Sequence, residues 1–353
     1  MQKESAMNVF EKYLTIWVLL CMLVGVLIGQ YLNFIPEFLS RFTYAEISIP
    51  IAILIWLMIF PMMLKVDFSS VRNIRKNPKG LYLTWVVNWL IKPFTMFLIA
   101  GFFLLVLFGN LIEDELARQY LAGAVILGAA PCTAMVFVWS HLTKGDPAYT
   151  VVQVATNNII LLVAFTPIVA LLISFTGVLD TIGMVLPFST LLLSVFLFVV
   201  IPLTAGMIVR SQVIARRGLS YFNEGFLPKF KYTTIIGLLL TLILIFAFQS
   251  QVIVDFPGHI FLISIPLIIQ TFVIFFIAYI AAKKMRLTHD ISAPAGMIGA
   301  SNFFELAVAV AIALFGAQSP VALATTVGII VEVPVMLVLV SIANRTKNWF
   351  VYS

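Results

Sequence analysis

The stretch LGAAPCTAMVFVW, residues 127–139, lies inside a long apolar run, yet it carries Gly128 and Pro131 and then a cysteine, Cys132. A helix that faces only lipid needs neither a proline break nor a thiol after it. Reading outward from this break decides the fold. Charged residues make up 10% of the 353-residue chain, hydrophobic residues 62%, and the mean hydropathy is +1.11. No soluble domain of this length could hide so much apolar surface, whereas a bilayer can.

Stretches near the ~20 residues that cross ~30 Å of hydrocarbon fall at 13–32, 47–64, 81–108, 119–140, 148–173, 186–209, 231–249, 259–281, 290–315 and 319–343. The sequence therefore predicts an all-α polytopic membrane protein with ten transmembrane helices and connections too short to hold a soluble domain. Asn8 and Glu11 form a capping box before the first span. That span is too long for a signal-peptide core and lacks a cleavage site, so it is expected to be a retained helix.

Of 21 Lys and Arg residues, 18 fall in the termini and the even-numbered loops, among them Arg72, Arg75, Lys76, Lys79, Arg216, Arg217, Lys229, Lys283, Lys284 and Arg286. Arg41 and Arg118 fall in odd-numbered loops and Lys92 inside a span. The positive-inside rule then places both termini in the cytoplasm. The net charge of +6 thus reports topology, and no nucleic-acid partner is implied.

Ten spans split into five and five. Shifted by 173 residues, helix 1 falls on 6, 3 on 8, 4 on 9 and 5 on 10, and Pro93 meets Pro266, Gly123 meets Gly296 and Pro147 meets Pro320. Helices 2 and 7 miss register by about ten residues. An odd-numbered repeat inserts upside down relative to its partner. Residues 1–175 and 176–353 are therefore expected to be inverted five-helix repeats, a secondary-transporter signature whose sites lie near the midplane at broken helices. Helix 4 breaks at GAAP, 128–131, and helix 9 at APAGMIGASN, 293–302; under the same shift Cys132 falls on Glu305.

A charge at mid-bilayer costs at least about 2.5–3.5 kcal/mol. Lys92, Glu305 and Glu332 are the charges well inside spans, joined by Asn157, Asn158 and Asn302. Each has a plain structural reading beside a functional one. Cys132 could pack like Cys21, Lys92 and Glu332 could form an ion pair, and the Asn pair could bond between helices. His141, His259 and His289 sit at predicted helix ends as interfacial residues. The two cysteines make neither a disulfide framework nor a metal motif. No enzyme signature, phosphate loop or cofactor motif is present, so a transporter is expected.

The chain resembles the arsenite efflux permeases, the arsenical-resistance family within the bile acid/sodium symporter superfamily. The resemblance spans nearly the whole chain, through EKYLTIWVLLCMLVGVLIG, FPMMLKVDF, VNWLIKPFTM, PCTAMVFVWSHLTKGD, SNFFELAVAVAIALFG and VEVPVMLVLV. It implies ten helices with crossed, broken helices 4 and 9, and export of arsenite from the cytoplasm against entering protons; the compact loops suit a bacterial plasma membrane. It ties transport to the helix 4 cysteine and the helix 9 glutamate, here Cys132 and Glu305. In some branches arginine precedes that cysteine; Pro131 stands here.

On this reading Cys132 is the arsenic(III) ligand, with Asn158 and Asn302 beside it in the substrate site. Soft arsenic selects sulfur, and a single thiol permits release. Glu305 carries the proton, with Glu332 and Lys92 in the same exchange. The competing expectation is a sodium-coupled organic-anion symporter, with Glu305 and Asn and Ser oxygens as sodium ligands and no use for Cys132.

Overall fold

The computed structural model describes residues 14–44, 47–66, 78–133, 135–186, 188–255 and 257–350. The capping box at Asn8 and Glu11 and the basic residues Arg72, Arg75 and Lys76 lie outside the described residues. The principal helices are α1 Leu14–Tyr31, α2 Ile49–Leu64, α3 Pro78–Leu107, α4 Asp114–Ala129, α5 Val136–Leu142, α6 Pro147–Thr176, α7 Phe188–Phe230, α8 Lys231–Phe248, α9 Pro257–Lys284, α10 His289–Ala300, α11 Phe304–Phe315 and α12 Pro320–Arg345. A two-residue antiparallel pair, β1 Thr43–Tyr44 and β2 Ile47–Ser48, precedes α2. Among the described residues five helices, α3, α6, α7, α9 and α12, are long and apolar enough to cross a membrane.

Local sequence sets the helix boundaries. α6 and α12 both start with proline at the first helical position, where its missing N–H costs nothing. Both also have a capping oxygen, Asp146 accepting from Ala148 N at 2.7 Å and Ser319 from Ala322 N at 3.2 Å. Gly177, at φ +71°, ends α6 in the left-handed region that suits glycine. α7 continues far beyond the apolar 186–209 stretch, because its polar remainder, with Arg210, Arg216 and Arg217, extends the helix up to a kink at Gly218.

Packing divides the helices into two groups. α1, α2, α8 and the middle of α7 touch one another, whereas α3 to α6 and α9 to α12 form the other body. Small residues let backbones approach in both. A Cβ on Gly25 of α1 would stand 2.5 Å from the Ile243 carbonyl oxygen of α8, and one on Gly123 of α4 would stand 2.7 Å from Ala324 Cβ of α12. From Ile291 to Ala300 in α10 and from Phe304 to Leu314 in α11 every residue is buried, while α1 and α2 expose apolar side chains.

Candidate functional site

α4 stops at Ala129 and α5 begins at Val136; α10 stops at Ala300 and α11 begins at Phe304. The two interruptions cross. Pro131 and Asn302 form an antiparallel bridge, in which Phe303 N donates to Ala130 O at 2.8 Å and Cys132 N to Ser301 O at 3.4 Å. Inside a membrane no solvent satisfies the backbone groups freed by a break. Here each break supplies acceptors for the other. The bridge sets Pro131 opposite Asn302, 171 residues further along the chain.

Ser301 is the hub of the crossing. Lys92, 0% exposed, donates from Nζ to Ser301 O at 2.5 Å. Its placement follows from α3, where a π turn over Val87–Ile91 closes with Lys92 N on the Val87 carbonyl and hands over to Pro93. The Ser301 hydroxyl donates to Glu332 Oε1, and Asn302 N donates to the same oxygen at 3.1 Å. Lys92 and Glu332 therefore meet through Ser301. The two charges thus face each other across the Ser301 main chain and hydroxyl and not through a direct ion pair. Lys92 also interacts electrostatically with Cys132.

Glu305 occupies the first turn of α11, where the positive end of a helix favours negative charge. It is 3% exposed and interacts electrostatically with Glu332. It lines a cavity of about 10 Å³ with Ile55 of α2, Thr241 and Ile245 of α8 and Ile329 of α12, which places it where the two helix groups meet.

Cys132, Asn302, Glu305, Glu332 and Lys92 are thus all buried at or beside the crossing. Asn158 is buried too, but its amide donates to Val154 O of its own helix at 3.0 Å. Asn157 accepts from Trp89 Nε1 and from Gln153 Nε2, both at 3.3 Å, and so ties α3 to α6. Glu332 Oε2 and Asn302 Oδ1 at the crossing are buried without a hydrogen-bond partner, as are Thr133 Oγ1 just after the first break and Asn158 Oδ1 in α6.

Sequence reasoning passed over Ser301 and Thr133. The only signal for either was its place beside a residue already singled out. His289 opens α10 and is buried there, with its Nε2 3.0 Å from Ala343 O. His259 Nδ1 meets the Tyr120 hydroxyl at 2.9 Å, and His141 is exposed.

Long apolar helices around two interrupted ones, with a buried lysine, two buried carboxyls and a thiol at the crossing, define a multi-pass membrane protein of the transporter class. The model of the Sodium Bile acid symporter family matches residues 52–256. The arsenical-resistance protein Acr3 of Alkaliphilus metalliredigens is 63% identical over 97% of this chain and 94% of its own. An uncharacterized transporter, slr0944, of Synechocystis sp. is 44% identical over 98% and 91%, and the arsenical-resistance protein Acr3 of Corynebacterium glutamicum 33% over 96% and 90%. The chain belongs to the sodium bile acid symporter family, in the branch that holds these arsenical-resistance proteins.

Proposed function

We propose that this chain exports trivalent arsenic, as arsenite and also antimonite, from the cytoplasm in exchange for entering protons. The observation that carries the reading is Cys132, fixed by its own main chain in the crossed break and within electrostatic reach of Lys92. The names of two full-length relatives support it. The topology that goes with it has ten spans, two inverted five-helix repeats and cytoplasmic termini.

Arsenous acid is uncharged at neutral pH, so the site needs no anion-binding cluster. Its soft centre prefers sulfur. The Cys132 thiol exchanges with one arsenic hydroxyl: the S–As bond forms as the As–O bond breaks, and the thiol proton leaves with that hydroxyl as water. Lys92 compensates negative charge on the sulfur during the exchange. Water reverses the step on the other side, and one S–As bond keeps release feasible. Glu305, at the junction of the helix groups, carries the counter-moving proton, and Glu332 with Lys92 forms the buried relay beside it. One proton entering through 100 mV supplies about 2.3 kcal/mol, enough for a gradient of roughly fiftyfold.

Everted membrane vesicles with an imposed acid interior test this. Arsenite should accumulate without sodium, and Cys132→Ser should abolish accumulation at unchanged membrane abundance. Undiminished transport by that variant would remove the thiol from the mechanism. Strict sodium dependence would instead favour symport of an organic anion.

A further inference from the structure

A second cavity, of about 710 Å³, lies between α2 and α7 with the start of α8 at one end. Its walls are Ile53, Trp56, Leu57, Phe60, Leu197 and Phe230 with similar neighbours, and the one hydroxyl among them is Thr233. The Trp56 indole N–H is already given to Leu197 O at 3.0 Å, so the groove asks almost nothing of a polar ligand. It is open at the side: Ile53 is 56% and Leu57 42% exposed. On α2 it runs from Ile49 to Pro61, about 18 Å at 1.5 Å per residue, close to one leaflet of a ~30 Å hydrocarbon core.

One end is basic. The Phe60 and Phe230 rings, 6.0 Å apart, close it. Beyond them Lys65 and Lys229 are exposed, and Arg210 donates to Leu64 O at 3.3 Å with its guanidinium 5.0 Å above the Phe222 ring. Glu224 is the acid on the same segment. Basic residues at the end of a membrane helix attract anionic lipid headgroups.

We propose that this groove holds an acyl chain of an anionic phospholipid, whose phosphate sits at the Lys65 and Lys229 end. Both halves of the ligand have a counterpart: hydrocarbon along a dry, leaflet-long channel, and negative charge against the lysines. The site is separate from the crossing and does not depend on the transported substrate.

Trp56 lines the groove and reports on it. Quenching by lipids with brominated acyl chains is measured on the delipidated protein in detergent, taking the difference between the native chain and Trp56→Phe. Brominated phosphatidylglycerol should quench the Trp56 signal at a roughly 25-fold lower concentration than brominated phosphatidylcholine, about fivefold from each of the two lysines. Lys65→Gln with Lys229→Gln should bring the two curves together, a loss of roughly fivefold per lysine. Ala52→Phe, which narrows the groove, should weaken quenching by both lipids. Equal curves for the two lipids in the native chain, or no Trp56-dependent quenching, would overturn the proposal. So would a dimer in native mass spectrometry that Ala52→Phe dissolves, because the groove would then be a contact between two copies.

Discussion

Ser301 carries more of the crossing than its size suggests. Its carbonyl holds the Lys92 ammonium and its hydroxyl holds Glu332, so two buried charges of opposite sign share one residue. Ser301→Ala keeps the carbonyl and loses the hydroxyl. A hydrogen bond to a charged group is worth about 1.5–3 kcal/mol, and a thermal melt in detergent should show a loss of that order with the fold retained. Lys92→Met removes the ammonium that faces Glu332 across Ser301, so the carboxyl keeps its Ser301 and Asn302 donors but loses the compensating charge. Lys92→Met combined with Glu332→Gln should therefore melt higher than Lys92→Met alone; equal melting would show that the two groups do not compensate each other. For transport, Glu305→Gln should leave arsenite binding intact but remove the dependence of export on a pH gradient. Proton-driven export persisting in that variant would exclude Glu305 as the proton carrier.

Among the elements, the interrupted helices are held to each other by main chain against main chain at Pro131 and Asn302. The straight helices around them depend on close approach instead. Gly25 faces the Ile243 carbonyl and Phe246 Cβ of α8 at 2.5 and 2.7 Å from where its own Cβ would stand. A side chain there must push α1 from α8, since backbone cannot yield as a flexible side chain does. Gly25→Leu should sharply lower the yield of folded protein in membranes, whereas Leu23→Ala, at an exposed position two residues away, should change it little. Similar yields for the two variants would mean that the α1–α8 contact is not needed for folding.

At the scale of the molecule the proposed topology, five helices per half with both termini cytoplasmic, commits to one orientation. A fluorescent protein fused after Ser353 should fluoresce and alkaline phosphatase at the same place should be inactive, while phosphatase inserted between Gly109 and Glu113 should be active. The reverse pattern would invert the transport direction assigned to the site. The two helix groups meet at Glu305 around a cavity of about 10 Å³, room for about one water. A molecule of arsenous acid cannot reach this position unless the groups separate there. Transport then requires relative movement of the groups, and a cross-link between cysteines introduced for Ile55 and Val308, which line that cavity, should stop export until it is reduced.

The sequence by itself marked the apolar helices and the neighbourhood of the two breaks, because hydropathy, proline and capping residues act within a few positions of one another. It set the second break too early, since 293–300 is helical and the interruption falls at 301–303, and it ended the 186–209 span short of a helix that runs to Phe230. It also singled out Cys132, Glu305, Glu332, Lys92 and Asn302, since charges and breaks are costly in hydrocarbon and so stand out against an apolar background. It could not separate lipid-facing surface from core: Leu23 and Leu121 read alike, yet one is exposed and the other buried, because lipid and protein interior are equally apolar. Nor could it show that Lys92 and Glu332 meet through Ser301, or that Asn158 bonds within its own helix. Those pairings join residues 30 to 209 positions apart or turn on a side-chain rotation, and only the packed helices decide them.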